Sequence, residues 1–187
     1  MTSRRVPLFS LPTTRWARWR RLTRQFATTA GSFGVVGAVV VGPCAPPPDP
    51  GGIQLQAKPV QAPCTYRDTY GAPRSGGRTH EGVDIMADEG NELYAVVDGE
   101  VSKIYENYSL AGNGLRIALP DGTYFFYAHL LRLAPGIDVG TDVEAGQLVG
   151  YVGETGNAGT PHLHLEIHPQ GGASVNPYPI VRQIGAC

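Results

Sequence analysis

Apolar and polar positions alternate with a period of two along much of the second half of the chain, which predicts half-buried β-strands. The clearest runs are Leu93 to Val97, Glu100 to Tyr105, Gly114 to Leu119 and Thr123 to His129, with turn signals at Asp98-Gly99 and Pro120-Asp121-Gly122. They predict a β meander. Six glycines between Gly140 and Gly159 then divide the chain into short apolar pieces before a last strand over His162 to Ile167. In that strand Leu163, Leu165 and Ile167 share one face, and His162, His164 and Glu166 the other. The histidines therefore belong to solvent or a groove. No 3.6-residue periodicity competes, and 25 Gly with 16 Pro in 187 residues exclude a helical bundle or coiled coil. With 42% hydrophobic residues the chain can still bury a core.

Charge divides the chain. Residues 1–43 carry seven arginines and no acid, leaving eight basic and sixteen acidic residues after them. A region that acidic lacks the footprint of nucleic-acid binding, which rests on neutralising phosphates with Lys and Arg. The basic cluster from Arg15 to Arg24 precedes an uncharged stretch whose apolar heart, Phe33 to Val41, is short for a membrane span. Residues 1–43 therefore read as a signal peptide or N-terminal membrane anchor, and membrane contact is expected through this segment alone. Arg4-Arg5 leaves a twin-arginine signal open. Cys44, directly after the apolar run, is a candidate for lipidation, although Pro43 departs from the small residue that such a site needs. Residues 44–63, Pro- and Gly-rich, read as a partly extended linker without chemistry, and 64–187 as the folded domain. Cys64 and Cys187 bracket that domain. A disulfide between them suits an oxidising compartment, with three unrelated thiols as the alternative.

Candidate chemistry lies in the five histidines. His80-Glu81-Gly82-Val83-Asp84 places an imidazole and a carboxylate four residues apart, with Gly82 favouring a loop-to-strand corner over a helix. His162 and His164, two apart on a strand, share a face, so that one can bind a metal while its neighbour addresses a water. His129 ends a strand on the face of Thr123, Phe125 and Tyr127, at what would be a groove edge. Two His and one Asp give zinc three protein ligands and leave a fourth position for water, the pattern of a catalytic rather than a structural site.

Gly77-Arg-Thr-His-Glu-Gly-Val-Asp84, Ala95-Val-Val-Asp-Gly-Glu-Val101, Tyr127-Ala-His-Leu130, Gly153-Glu-Thr-Gly156 and His162-Leu-His-Leu-Glu166 together resemble the lysostaphin-type (LytM-like) zinc metallopeptidases, over roughly residues 64–181. The resemblance implies an all-β fold, mainly antiparallel sheets of the duplicated hybrid motif type with an open substrate groove. It implies one Zn2+ held by His80, Asp84 and His164, with His129 and His162 as catalytic histidines. It also implies an endopeptidase acting on peptide cross-links or cross-bridges of cell-wall peptidoglycan through a zinc-activated water, and the signal reading of residues 1–43 makes it exported and extracytoplasmic. His162 is expected to be the general base, and His129 to hold the water or the developing oxyanion; exchanging the two roles fits equally well.

The principal rival is a peptidase-like protein that binds the wall and activates another hydrolase, for which retention of all five residues is unneeded. A biotinyl or lipoyl carrier fails because Lys58 and Lys103 are the only lysines and neither sits at a predicted hairpin tip. A carbohydrate-binding module leaves the histidine order unexplained. Glu166 reads as a surface salt-bridge partner or as an acceptor behind His164, and His168 as a solvated strand end. Asn107 to Asn113 reads as a hairpin tip or groove wall, Tyr70, Tyr94 and Tyr127 as packing residues, and Asn176-Pro177-Tyr178-Pro179 as an extended exit.

Overall fold

The computed structural model describes residues 52–187. The predicted signal segment, Cys44 and the first part of the linker lie outside the described residues. The strands are β1 (Thr65–Tyr66), β2 (Val83–Met86), β3 (Glu92–Tyr94), β4 (Gly99–Tyr108), β5 (Gly112–Ala118), β6 (Tyr124–Ala128), β7 (Leu130–Leu133), β8 (Asp142–Val143), β9 (Leu148–Val152) and β10 (His162–His168), followed by helix α1 (Tyr178–Gln183). Seven strands form one sheet in the order β1-β2-β10-β6-β5-β4-β8, and β3-β9-β7 form a second. Every registered pair is antiparallel. The expected fold class and the β4-β5-β6 meander are both present.

The period-two pattern explains the layering. Val83, Ile85, Leu115, Ile117, Phe125, Leu163, Leu165 and Ile167 of the large sheet are fully buried, as are Leu93, Leu130, Val149 and Val152 of the small one. Two amphipathic sheets thus close on one core, and the polar alternates of the large sheet are left on its open face. Tyr127 crosses this core: its hydroxyl donates to Tyr94 O and accepts from Val96 N. Burial pushes that phenol well above its ordinary pKa, so it remains a neutral strut between β6 and the chain after β3.

Three expectations change. The predicted strand to Val97 stops at Tyr94, where the β3–β9 register shifts. Beyond it, Ala95 N bonds Gln147 O and Val96 O accepts from Gln56 N, outside any ladder. The predicted linker is part of the domain from at least Leu55: Leu55 and Val60 are buried, and Val60 bridges Leu93. The Asn176–Pro179 exit leads into α1, whose Ile180 and Val181 are buried; proline suits the first helical turn because no N–H is required there. A disulfide joins Cys64 and Cys187, as the bracketing arrangement suggested.

Candidate active site

A hairpin, a strand corner and the sheet register bring the ligand candidates together. Residues 71–80 double back on themselves through Gly71 N to His80 O, His80 N to Ala72 O and Arg74 N to Arg78 O, which fixes His80 over the sheet edge. Asp84 lies on β2, directly opposite His164 of β10. Gly82 permits this approach, since a Cβ there would fall 2.5 Å from Leu165 O and 2.8 Å from His164 Cε1. Gly82→Ala is therefore expected to displace the His164 ring and cost about 1–3 kcal/mol as overpacking, read as a fall in Tm. An unchanged Tm would contradict this packing.

His80 Nε2 lies 3.0 Å from Asp84 Oδ1 and 3.0 Å from His164 Nδ1, and His164 Nδ1 lies 2.9 Å from Asp84 Oδ1. The other atom of each group is anchored from behind. His80 Nδ1 donates to Thr69 O at 3.0 Å, His164 Nε2 to Glu166 Oε1 at 2.9 Å, and Arg74 to Asp84 Oδ2 at 2.6 Å. Three lone-pair atoms thus converge on one point while their outward edges are satisfied. Two imidazoles and a carboxylate, open to the groove on the remaining side, fit a tetrahedral divalent ion such as zinc.

Burial would raise the Asp84 pKa, but hydrogen bonds from His164 and His80 hold its carboxyl well below the usual range. Burial would lower His164; hydrogen bonds to Asp84 and Glu166 outweigh it and raise the imidazole to about 9. The site is therefore strongly biased towards charge in the metal-free protein.

His162 and His129 face the cluster across the groove, their ring centroids 4.7 Å apart, and His129 lies 5.9 Å from the His164 ring. His162 Nδ1 donates to Thr160 O at 2.8 Å, and His129 Nδ1 donates to Thr155 O at 2.8 Å. Carbonyl oxygens only accept, so both rings carry the proton on Nδ1 and present the Nε2 lone pair. Burial pushes His129 down to about 4, against the opposing effect of the Thr155 carbonyl. The five residues line one groove of about 600 Å³ together with Arg74, Arg78, Leu110, Phe126 and Asn157.

Strand alternation puts His129 beside Phe125 and Tyr127, which point into the core. The structure corrects the reason for its groove position. β6 ends at Ala128, and His129 adopts φ 65°, a turn between β6 and β7 that swings the ring to the open side. His129 N bonds Ala111 O and Asn157 N bonds Leu110 O, so the tip of the β4–β5 hairpin is also a groove wall.

Two further readings change. Glu166 is the acceptor behind His164 rather than a surface pair: its Oε2 also accepts from His168 Nε2 at 2.8 Å. His168 is not a solvated strand end but is 8% exposed, donates Nδ1 to Gly172 O and stacks on Tyr124 at 4.3 Å. Arg74 and the carbonyls of Thr69, Thr155 and Thr160 were not anticipated. The backbone acceptors carry no side-chain signal, and Arg74 meets Asp84 only because of the tertiary path of residues 71–80.

The model of peptidase family M23 matches residues 78–177, which contain all five site residues. The chain belongs to this family. It is 37% identical over 138 residues to the L-Ala–D-Glu endopeptidase of Bacillus subtilis, covering 66% of this chain and 41% of that relative. It is 36% identical over 121 residues to the murein hydrolase activator EnvC of Escherichia coli, covering 65% of this chain and 27% of that one. The chain thus spans well under half the length of these curated relatives. Among solved structures, the catalytic domain of lysostaphin from Staphylococcus simulans aligns with TM-score 0.56 and 28% identity, over 64% of this chain and 92% of that one. A zinc-containing peptidase from Vibrio cholerae aligns with TM-score 0.55 and 27% identity, over 66% and 39%. The lysostaphin-type resemblance and the all-β architecture of this M23 chain are thereby established.

Proposed function

We propose that this M23 protein is an exported zinc metalloendopeptidase that hydrolyses peptide bonds in the cross-links or cross-bridges of peptidoglycan. The observation carrying the reading is the convergence of His80 Nε2, Asp84 Oδ1 and His164 Nδ1 opposite two further histidines. Those three atoms would hold the ion. When bound, zinc supplies a Lewis acid that polarises a carbonyl and acidifies water at neutral pH.

The remaining steps belong to the chain's own side chains. His162, with Nδ1–H engaged by Thr160 O, receives the proton of the attacking water at Nε2 and returns it to the leaving amine nitrogen. His129, kept neutral by burial, accepts a hydrogen bond from the same water at Nε2 and aims it. With its proton held on Nδ1, His129 has no N–H for an oxyanion, so of its two candidate roles the geometry favours holding the water. Arg74 holds Asp84 Oδ2 away from the cluster, leaving Oδ1 as the ligand atom. Residues 1–43 are proposed as export signal or anchor, with Cys44 as a candidate lipidation site.

The similarity to EnvC gives the second reading, a wall-bound activator of another hydrolase. Such a protein needs no converging ligand set. Zinc titration of the full chain separates the two: a peptidase binds one ion per chain, and purified walls then lose turbidity on incubation with the loaded protein. Failure to bind zinc would favour the activator. Glu166→Gln is expected to weaken zinc binding by about 10–100-fold, because the amide offers one uncharged oxygen where the carboxylate accepts from both His164 and His168. An unaltered affinity would show that Glu166 does not orient the ligand.

A further inference from the structure

We infer that Lys103 and Arg116 form a subsite for a carboxylate of the substrate, on the open face of the large sheet beside the groove. Lys103 on β4 is the direct cross-strand partner of Arg116 on β5. Like charges placed opposite each other destabilise a sheet, and an acid nearby normally offsets them. None does so here. Among the described residues neither cation has an ion-pair partner, although acids outnumber bases two to one after residue 43. Glu166 is on the same row, but both its oxygens are taken, one by His164 and the other by His168.

The two cations are held by aromatic rings instead. Arg116 Cζ lies 4.1 Å over the Tyr124 ring and 5.7 Å over Tyr105, and Lys103 Nζ lies 4.6 Å over Tyr105. Arg116 Nε is buried without a hydrogen-bond partner, an uncommon state for a buried donor. A guanidinium held against two rings is restrained in place and keeps N–H donors for bidentate capture of a carboxylate, and the adjacent ammonium adds a second charge.

The location ties the pair to the proposed reaction. Arg116 is the neighbour of Phe126 on β6, and Phe126 is the neighbour of Glu166 on β10. Phe126 and Glu166 both line the groove. Two strand spacings and a two-residue step along β10 put Arg116 roughly 12 Å from His164, the reach of about three to four residues of extended peptide. The occupant is therefore an acidic peptide bearing a free carboxylate about three to four residues from the bond cleaved. This inference rests on the wall-peptidase reading, and its test is kept separable from that reading.

Binding is measured on the full chain in chelator, by titration with a soluble wall peptide, the same peptide with its carboxylates amidated, and a glycerol-phosphate oligomer. The free-carboxylate peptide should bind about tenfold more tightly than its amide. Lys103→Gln, an exposed change, should reduce that preference by about threefold; Arg116→Gln should erase it, and Arg116→Lys should keep part of it. The amidated peptide should bind all forms alike. Equal affinity for the two peptides, a preference that survives in the Lys103→Gln, Arg116→Gln double variant, or tighter binding of the phosphate oligomer would overturn the carboxylate subsite. If the preference holds while zinc-loaded protein cleaves neither peptide, the subsite stands and the peptidase reading falls.

Discussion

Asp84→Ala and His164→Ala are each expected to lose bound zinc and turnover together, whereas His162→Ala keeps one zinc per chain and loses turnover by about 10²–10⁴-fold. The difference follows from where the lone pairs point. Asp84 Oδ1, His164 Nδ1 and His80 Nε2 lie 2.9–3.0 Å from one another, so removing either of the first two leaves only two donors where the proposed site would hold the ion with three. His162 is bonded to Thr160 O and approaches the cluster only at 3.6 Å from Asp84 Oδ1, so its loss leaves the ligand set whole. His129→Ala should resemble His162→Ala with a smaller loss, because on the proposed mechanism His129 orients a water and moves no proton. Metal content and hydrolysis measured on the same preparations check all four. Zinc retained by His164→Ala, or lost from His162→Ala, would overturn the ligand assignment.

The second large effect concerns stability. Breaking the Cys64–Cys187 bond frees a loop spanning a sequence separation of 123 residues, which costs about 4–5 kcal/mol on the chain-entropy account. Domains of this size are commonly stable by only about 5–15 kcal/mol in total, so Cys64→Ser should lower Tm by on the order of 15 °C. Cys187→Ser should give the same shift, and the double variant no more, since all three remove one bond. The bond ties the segment entering β1 to the end of α1, where Ile180, Val181 and Ala186 are buried, so the loss should loosen that edge of the core first. A Tm change under a few degrees, or additive single variants, would contradict this account.

The strand pattern was legible because each amphipathic strand has one buried face, so alternation along His162–His168 reported both the core and the groove side. That His162 and His164 share the groove face was legible for the same reason, and Gly82 signalled the corner that brings Asp84 of β2 opposite His164. What escaped depends on backbone turns and long-range contacts. Alternation could not place His129, because its positive φ breaks the period of two at the position that matters. Composition mistook residues 55–63 for linker, since Leu55 and Val60 are sparse among Pro, Gln and Ala yet are buried against the small sheet. Pro177 and Pro179 argued for extended chain, although proline is equally at home in the first turn of α1. Arg74 meets Asp84 only through the path of residues 71–80, and His168, bonded to its near neighbours Glu166 and Gly172, is covered by Tyr124, a contact that only the fold makes.

The most direct test of the central claim is mass spectrometry of fragments released from purified peptidoglycan by the full chain, with zinc and then with chelator. Fragments carrying new amino termini that appear with zinc and vanish with chelator are the predicted result, and their masses name the bond. Intact walls after incubation with folded, zinc-loaded protein, across walls of several peptide compositions, would contradict it.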